Sequence, residues 1–380
     1  MGIDLEEKQL RTAILAVTGI GRQSFRKILS CLQELDVSLD HFWQCRPAQI
    51  WELCGLSDRQ QSSLKKFQKR FTPENYFGWL EGQDISVIDC EDKKYPKLLK
   101  EIDDKPLNLY VKGDVSGVNQ RPIAVVGTRR ISGYGRMVCE QIVPNLVVQQ
   151  ATIVSGFMYG VDTYAHQMAV ENKGFTVGVL GFGFGQLYPA GNKKFFAKML
   201  AEGNCFITEY PPWVGSHKGN FPERNRIVAG MSLATVVIEA GQESGSHITA
   251  RLAGEYGRGI CAVPGPITNP YSEGTKWLVN QGARLVSSAT EILEEAGVYG
   301  NNWSKLISNE VNLNQQTLSD MLQQKIYQQL LNQPLPTDEL AKQLELSIPD
   351  LNTALSLLEL EGYVRRQNNT WFVKNADSVQ

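Results

Sequence analysis

Ile123-Ala124-Val125-Val126-Gly127-Thr128-Arg129-Arg130-Ile131-Ser132-Gly133-Tyr134-Gly135 passes from a short apolar, β-branched run, through a glycine and two arginines, into a stretch whose apolar residues continue at helical spacing. That is a strand, a turn and the start of a helix. Working outward, the same unit recurs. After the strand at 123–127, further strands are predicted at 152–155, 176–181, 205–209, 234–239, 260–263 and 284–286. Helices are predicted over 134–149, 161–172, 193–201, 247–256 and 273–281. Regular alternation of this kind specifies an α/β fold with a parallel sheet. Residues 76–121 lead into it through Tyr95-Pro96-Lys97-Leu98-Leu99 and Leu109-Tyr110-Val111-Lys112-Gly113-Asp114, and extend or flank the sheet.

On either side of this core, assigned to residues 76–297, the pattern changes. Residues 1–75 read as short helices separated by glycine turns, with 11 Lys/Arg against 9 Asp/Glu. Val17-Thr18-Gly19-Ile20-Gly21 before the helical run 22–29 has the form of a helix-hairpin-helix, and Leu53-Cys54-Gly55-Leu56-Ser57 is a weaker second copy. Glycines there either bring the backbone close to a phosphate or cap one helix before it packs on the next. Residues 298–318 form a polar linker. Beyond it, residues 319–380 show helical patterns at 318–331 and 338–344. Ser347-Ile348-Pro349-Asp350 then opens a helix over 351–361 with capping-box spacing, and residues 363–373 read as a hairpin after Gly362. Together these make a winged helix. It carries 5 Lys/Arg against 8 Asp/Glu, so a protein contact suits it better than duplex DNA.

A chain of 380 residues has room for two to four domains, and 42% hydrophobic with 21% charged residues excludes global disorder. The longest apolar runs are far short of a membrane span, and the acidic start Asp4-Leu5-Glu6-Glu7 is unlike a signal peptide, so a cytoplasmic protein without membrane insertion is expected. Seven scattered cysteines with no CxxC pair point to reduced thiols rather than disulfides or a zinc site.

Ligands of open α/β sheets bind beyond the carboxyl ends of the strands. Here those segments share cations, aromatics and glycines: Thr128 and Arg129 after the first strand, Gly156 and Tyr159 after the second, Lys218, Phe221, Arg224, Asn225 and Arg226 after the fourth, and Ser244, Gly245 and Ser246 after the fifth. Arg129, Lys218, Arg224 and Arg226 can neutralise phosphates, Phe221 or Tyr159 can stack on a base, and a helix starting near Ser246 offers N–H donors. The set suits an extended polyanion with unstacked bases. A nicotinamide cofactor is excluded, because the first turn is not G-x-G-x-x-G and Ser155-Gly156 replaces the acidic residue that would end the second strand. No G-x-x-x-x-G-K-[ST] is present, and the four histidines lack ligand spacing. Asp162 and His166, four apart on a helix, read as a structural hydrogen bond. No catalytic residue, cofactor or metal is assigned.

The motifs Gly127-Thr128-Arg129, Ser155-Gly156 with Gly160-Val161-Asp162 and Ala165-His166, Tyr188-Pro189 with Asn192, Phe221-Pro222-Glu223-Arg224-Asn225-Arg226-Ile227, Ser244-Gly245-Ser246 with Ile248-Thr249-Ala250, and Val263-Pro264-Gly265 resemble, in order, those of the DprA (Smf) DNA-processing family over residues 95–290. The resemblance implies a Rossmann-like core flanked by a helix-hairpin-helix (SAM-like) front and a winged-helix tail. It also implies single-stranded DNA binding and protection, loading of the RecA recombinase during natural transformation, and homodimerisation through the core. Family DNA contacts carry over to Arg129, Lys218, Phe221, Asn225 and Arg226. Where the family reads S-G-x-A-R-G-I-D, Met158-Tyr159 replaces Ala-Arg, which removes one cation and substitutes an aromatic. His247 stands where leucine is usual and Thr128 where serine is usual. The same superfamily includes nucleotide-binding and phosphoribohydrolase-like enzymes, the alternative reading. Their P-G-G-x-G-T-x-x-E turn corresponds to Gly245-Ser246-His247-Ile248-Thr249, which has threonine in place of the glutamate needed for acid–base chemistry. A third reading makes the chain an interaction scaffold built around the acidic winged helix.

Overall fold

The computed structural model describes residues 4–45, 49–298, 321–344, 346–360, 363–367 and 370–373. It divides into two units, residues 1–298 and 299–380. All but the first residue of the expected linker at 298–318 lies outside the described residues.

The first unit opens with six helices among the described residues: α1 (Leu5–Leu15), α2 (Arg22–Glu34), α3 (Leu39–Gln44), α4 (Gln49–Leu53), α5 (Asp58–Arg70) and α6 (Pro73–Glu81). Their starts are written in the sequence. Asp4, Ser38, Ser57 and Thr72 each accept a hydrogen bond from the backbone N–H three residues on, Gln60 completes a capping box with Ser57, and Pro73 occupies the first helical position. α2 differs: it begins at Gly21 with no side-chain cap, directly after a turn in which Gly19 has φ +91°. α6 runs across residues 75 and 76, and its Tyr76 is fully buried, with its hydroxyl donating to that of Tyr110 at 3.1 Å.

The sheet contains nine strands: β1 (Ser86–Asp89), β2 (Asn108–Gly113), β3 (Ile123–Val126), β4 (Ile153–Ser155), β5 (Thr176–Val179), β6 (Cys205–Thr208), β7 (Ala234–Val237), β8 (Gly259–Ala262) and β9 (Arg284–Leu285). Their order is β1-β2-β6-β5-β4-β3-β7-β8-β9. β3 to β9 are parallel neighbours throughout, whereas β1 pairs antiparallel with β2 and β2 antiparallel with β6. Residues 76–121 thus extend the sheet at its β6 side. Strand period sorts the apolar residues between the faces: Ala124, Val126, Val154 and Val237 join one core cluster, Ile123, Val125, Ile153 and Val236 the other. α8 (Gly133–Val148), α9 (Val161–Glu171) and α14 (Ala289–Glu295) cover the second face. The first is covered by the front helices and α7 (Lys97–Glu101) with α11 (Asn220–Gly230), α12 (Ser246–Glu255) and α13 (Glu273–Asn280), and α10 (Lys193–Ala201) follows β5. Helices on both faces of a mostly parallel sheet make this a Rossmann-like, doubly wound α/β fold.

α11 corrects one expectation. The sequence pattern assigns no helix between the strands at 205–209 and 234–239, but the chain turns helical at Asn220, with Pro222 in the first turn where its missing N–H costs nothing.

The second unit holds α15 (Met321–Asn332), α16 (Thr337–Leu344) and α17 (Ile348–Leu360) with a three-stranded sheet. Its strands are β10 (Leu335–Pro336), β11 (Val364–Gln367) and β12 (Thr370–Val373), all antiparallel in the order β10-β12-β11. The Ser347 hydroxyl accepts from Asp350 N–H at 3.2 Å, as the spacing predicted. Trp371 is buried against Leu340 and Leu355 and donates its indole N–H to Thr337 Oγ1 at 3.0 Å. Three helices and an antiparallel wing complete the winged helix.

Candidate functional site

In the parallel sheet the chain order reverses between β3 and β7, which opens a crevice beyond their carboxyl ends. A cleft of about 770 Å³ lies there, between the β3–α8 and β7–α12 turns, with α11 along one side. The turns are held by the end of β7. Glu239, 2% exposed, accepts from Ser132 N–H at 2.9 Å, from Ser132 Oγ at 2.6 Å and from Asn269 Nδ2 at 3.0 Å, while its carbonyl accepts from Thr128 N–H at 2.7 Å. Thr128 is buried and its hydroxyl accepts from Arg130 N–H at 3.2 Å, so it shapes the turn. Arg129 and Arg130 project outward from that turn and are exposed. Gly160, φ +83°, sits so close to the Thr128–Arg129 backbone that a Cβ would collide with it.

α11 sorts its residues by helical phase. Phe221 and Asn225, one turn apart, line the cleft, and Asn225 Nδ2 donates to Gly245 O at 3.3 Å. The Arg129 guanidinium lies 5.6 Å from the Phe221 ring centroid, a cation–π contact, and the Tyr188 and Phe221 ring centroids are 5.8 Å apart. Lys218 is exposed at the mouth, just before the helix. On the far wall α12 begins after Gly245, and the turn itself takes up its first N–H groups: Ser246 N–H donates to Ser244 Oγ at 3.4 Å, His247 N–H to Ser244 O at 3.1 Å and Ile248 N–H to Gly245 O at 3.2 Å, while Ser244 Oγ meets Ser246 Oγ at 2.7 Å.

Two expected cleft residues lie outside the cleft, and a third is enclosed in its floor. Arg224 lines that floor but is 3% exposed, and it donates to Gly156 O and Val179 O. A Cβ on Gly156, which also lines the cleft, would strike that guanidinium, so the glycine makes room for the arginine. Burial lowers the Arg224 pKa to about 10 against the opposing pull of Asp162, and burial raises the Asp162 carboxyl above its ordinary range despite Arg224. Arg226 emerges on the opposite face of α11. There it pairs with Glu209 at 2.5 Å and Asp104 at 3.6 Å and takes no part in the cleft. Tyr159 is exposed but packs over Gly191, outside the cleft lining. The predicted Asp162–His166 bond is replaced: His166 Nδ1 meets Thr176 Oγ1 at 2.6 Å, and Asp162 accepts from Met158 N–H at 3.4 Å.

Sequence reasoning quotes Tyr188 and Arg130 only within a motif and a turn, not as site residues, and does not single out Glu239. An aromatic in the third strand's loop and the arginine next to Arg129 were available signals for the first two; Glu239 ends an apolar strand, where a lone acid marks a buried hydrogen-bond hub only once its partners are seen. Among the described residues no cluster of His, Cys, Asp or Glu is arranged to hold a metal ion, and no helix is long and apolar enough to cross a membrane.

A doubly wound sheet whose switch point carries exposed cations and an aromatic pair, in place of a dinucleotide fingerprint, defines a Rossmann-like α/β protein with a cationic, aromatic-lined cleft. The family model for DNA recombination-mediator protein A matches residues 86–297 and that for the DprA winged helix domain matches residues 314–369. The chain belongs to the DprA/Smf family of DNA-processing proteins. It is 34% identical over 322 residues to Protein Smf of Escherichia coli strain K12, covering 83% of this chain and 84% of that one. It is 38% identical over 214 residues to DNA processing protein DprA of Bacillus subtilis, covering 56% and 72%. Among solved structures it resembles the X-ray structure of DprA from Streptococcus pneumoniae, with TM-score 0.63 and 31% identity over 78% of this chain and 99% of that one. DprA from Helicobacter pylori, whose structure addresses its single-stranded DNA binding mode, matches with TM-score 0.50 and 28% identity over 55% and 94%.

Proposed function

We propose that the switch-point cleft binds single-stranded DNA. The observation that carries this reading is the grouping of exposed Arg129 and Lys218 around the Phe221–Tyr188 pair, in a cleft that the start of α12 also lines. Cations take the phosphates and aromatic faces take unstacked bases. The Helicobacter pylori relative's single-stranded DNA binding supports it. On this reading the protein is a binding protein rather than an enzyme. It acts in the cytoplasm as a homodimer, protects incoming DNA and promotes RecA loading in transformation and recombination, and its acidic winged helix contacts a protein.

Fluorescence anisotropy of a labelled single strand across a salt series tests the binding step. The double variant Arg129→Ala/Lys218→Ala removes two phosphate partners and should flatten the slope of log affinity against log salt by about 1.4. An unchanged slope, or a wild-type affinity no better for a strand than for a mononucleotide, would overturn it. RecA filament growth on strands coated with a single-strand-binding protein, with and without this chain, tests the loading step.

A further inference from the structure

A second cleft, of about 860 Å³, lies on the other side of α11. Its wall is the first glycine hairpin, Val17 to Gly21, with the first turn of α2, and its floor includes Glu209 and Arg226. The two clefts share Pro222 and Ile248, so both border the first turns of α11 and α12. We infer that a single strand seated in the switch-point cleft continues over these turns into the second cleft, where the hairpin backbone and Trp213 hold its next nucleotides. The inference rests on the DNA-binding reading of the first cleft.

Four features of the second cleft fit a nucleotide segment. The N-terminus of the 13-residue α2 has no side-chain cap and no acidic residue in its first turn, so its N–H groups are free for a phosphate. Arg226, 7% exposed and lining the floor, has Nη1 without a hydrogen-bond partner. Trp213, 37% exposed, offers an indole face anchored from behind by Phe67 and Tyr76 at 5.9 and 5.6 Å between centroids. Finally, α11 gives one face to each cleft: Phe221 and Asn225 to the first, Glu223 and Arg226 to the second.

Charge makes the second cleft a different kind of site. Arg22, Arg226 and Arg251 face Asp104, Glu209 and Glu223 across it. Arg226 pairs with Glu209 and Asp104, Arg22 lies 3.8 Å from Asp104, and Arg251 is bridged to Glu255. The signs balance, so this half holds a strand by stacking and backbone donors and releases few counterions. Its signature is affinity that depends on strand length but adds little to the salt slope.

The test measures full-length protein on labelled oligo-dT of about 6 and about 20 nucleotides, short enough for one cleft and long enough for both. Wild type should bind the long strand more tightly. Trp213→Ala should weaken the long strand about tenfold, leave the short strand unchanged and keep the salt slope, with Trp213→Phe restoring most of the loss. Gln23→Glu, exposed in the first turn of α2 where an acid favours the helix, should also weaken only the long strand. The idea is overturned if both variants leave long-strand affinity at the wild-type value, or if the short and long strands weaken together. Wild type that binds neither strand defeats the first-cleft reading; wild type that binds the short strand and gains nothing with length defeats the second cleft alone.

Discussion

Arg224 and Lys218 belong to the same stretch of sequence and carry the same charge, yet they hold different things. Arg224 is enclosed in the cleft floor, where its guanidinium satisfies two carbonyls at and just past strand ends and interacts with the buried Asp162. Arg224→Ala should therefore cost about 3 kcal/mol of unfolding free energy in urea titration, because it strands buried acceptors and an unopposed carboxyl. Lys218→Ala, at an exposed site, should change stability by less than about 0.5 kcal/mol. Equal effects of the two substitutions would overturn the structural role of Arg224. His166 adds a pH dependence. Burial, and then the charge of Arg224, lower its pKa from 6.5 to about 3 on folding. Below pH 6.5 the unfolded chain takes up a proton that the folded chain refuses, so the stability His166 contributes at neutral pH drains away as pH falls, by about 2 kcal/mol at about pH 5. The raised carboxyls Asp162 and Glu209 have the opposite sign, losing stability as pH rises above their ordinary range. His166→Asn should flatten the decline between pH 6.5 and about 5; a variant with the wild-type profile would place the proton uptake elsewhere.

α11 is the element that decides what each of its residues can touch. Phe221 supports the Arg129 guanidinium and Tyr188 in one cleft, while Arg226, little more than a turn later, is turned to Glu209 and Asp104 in the other. Phe221→Ala should weaken single-strand binding about tenfold with the salt slope intact, because it removes a stacking face and no charge. A slope that also falls by about 0.7 would show instead that Phe221 acts by seating Arg129. The same helix shows what the sequence could and could not tell. Strand starts and turn positions were legible from β-branched runs ended by glycine, and every core strand read from the pattern is present within a residue or two. Thr128, Arg129 and the Gly245–Ser246 turn were legible too, because a residue directly after a parallel strand has only the cleft rim to occupy. Within Phe221 to Arg226 the type of residue was informative but its direction was not. A proline and nearby glycines read as loop, and without the helical phase all three cations from Lys218 to Arg226 counted toward one cleft. The burial of Arg224 depends on a glycine 68 residues away in the chain, a pairing that no local pattern encodes.

At the scale of the whole first unit, the front helices and the sheet share one core. A single apolar cluster runs from Ala13 and Phe25 through Tyr76 and Leu109 to Ile227 and Leu278. Ion pairs between Lys8 and Asp92 at 2.6 Å and between Arg11 and Asp89 at 3.3 Å fasten α1 to the first edge strand. The helical front is thus a wall of the molecule, and the second cleft is defined by its fixed distance from α11. The place of β2 has a consequence for synthesis on the ribosome. β2 lies between β1, made just before it, and β6, made only after three more strands and three α-helices have emerged, and it reaches β6 antiparallel through Val111 and Ile207. Until Cys205–Thr208 leave the exit tunnel, the nascent chain presents a finished hairpin with one bare, apolar edge, joined to helices whose core that edge should help to close. The interval in which residues 114–204 are being translated is therefore when this protein is most open to wrong partners and most in need of a chaperone's cover.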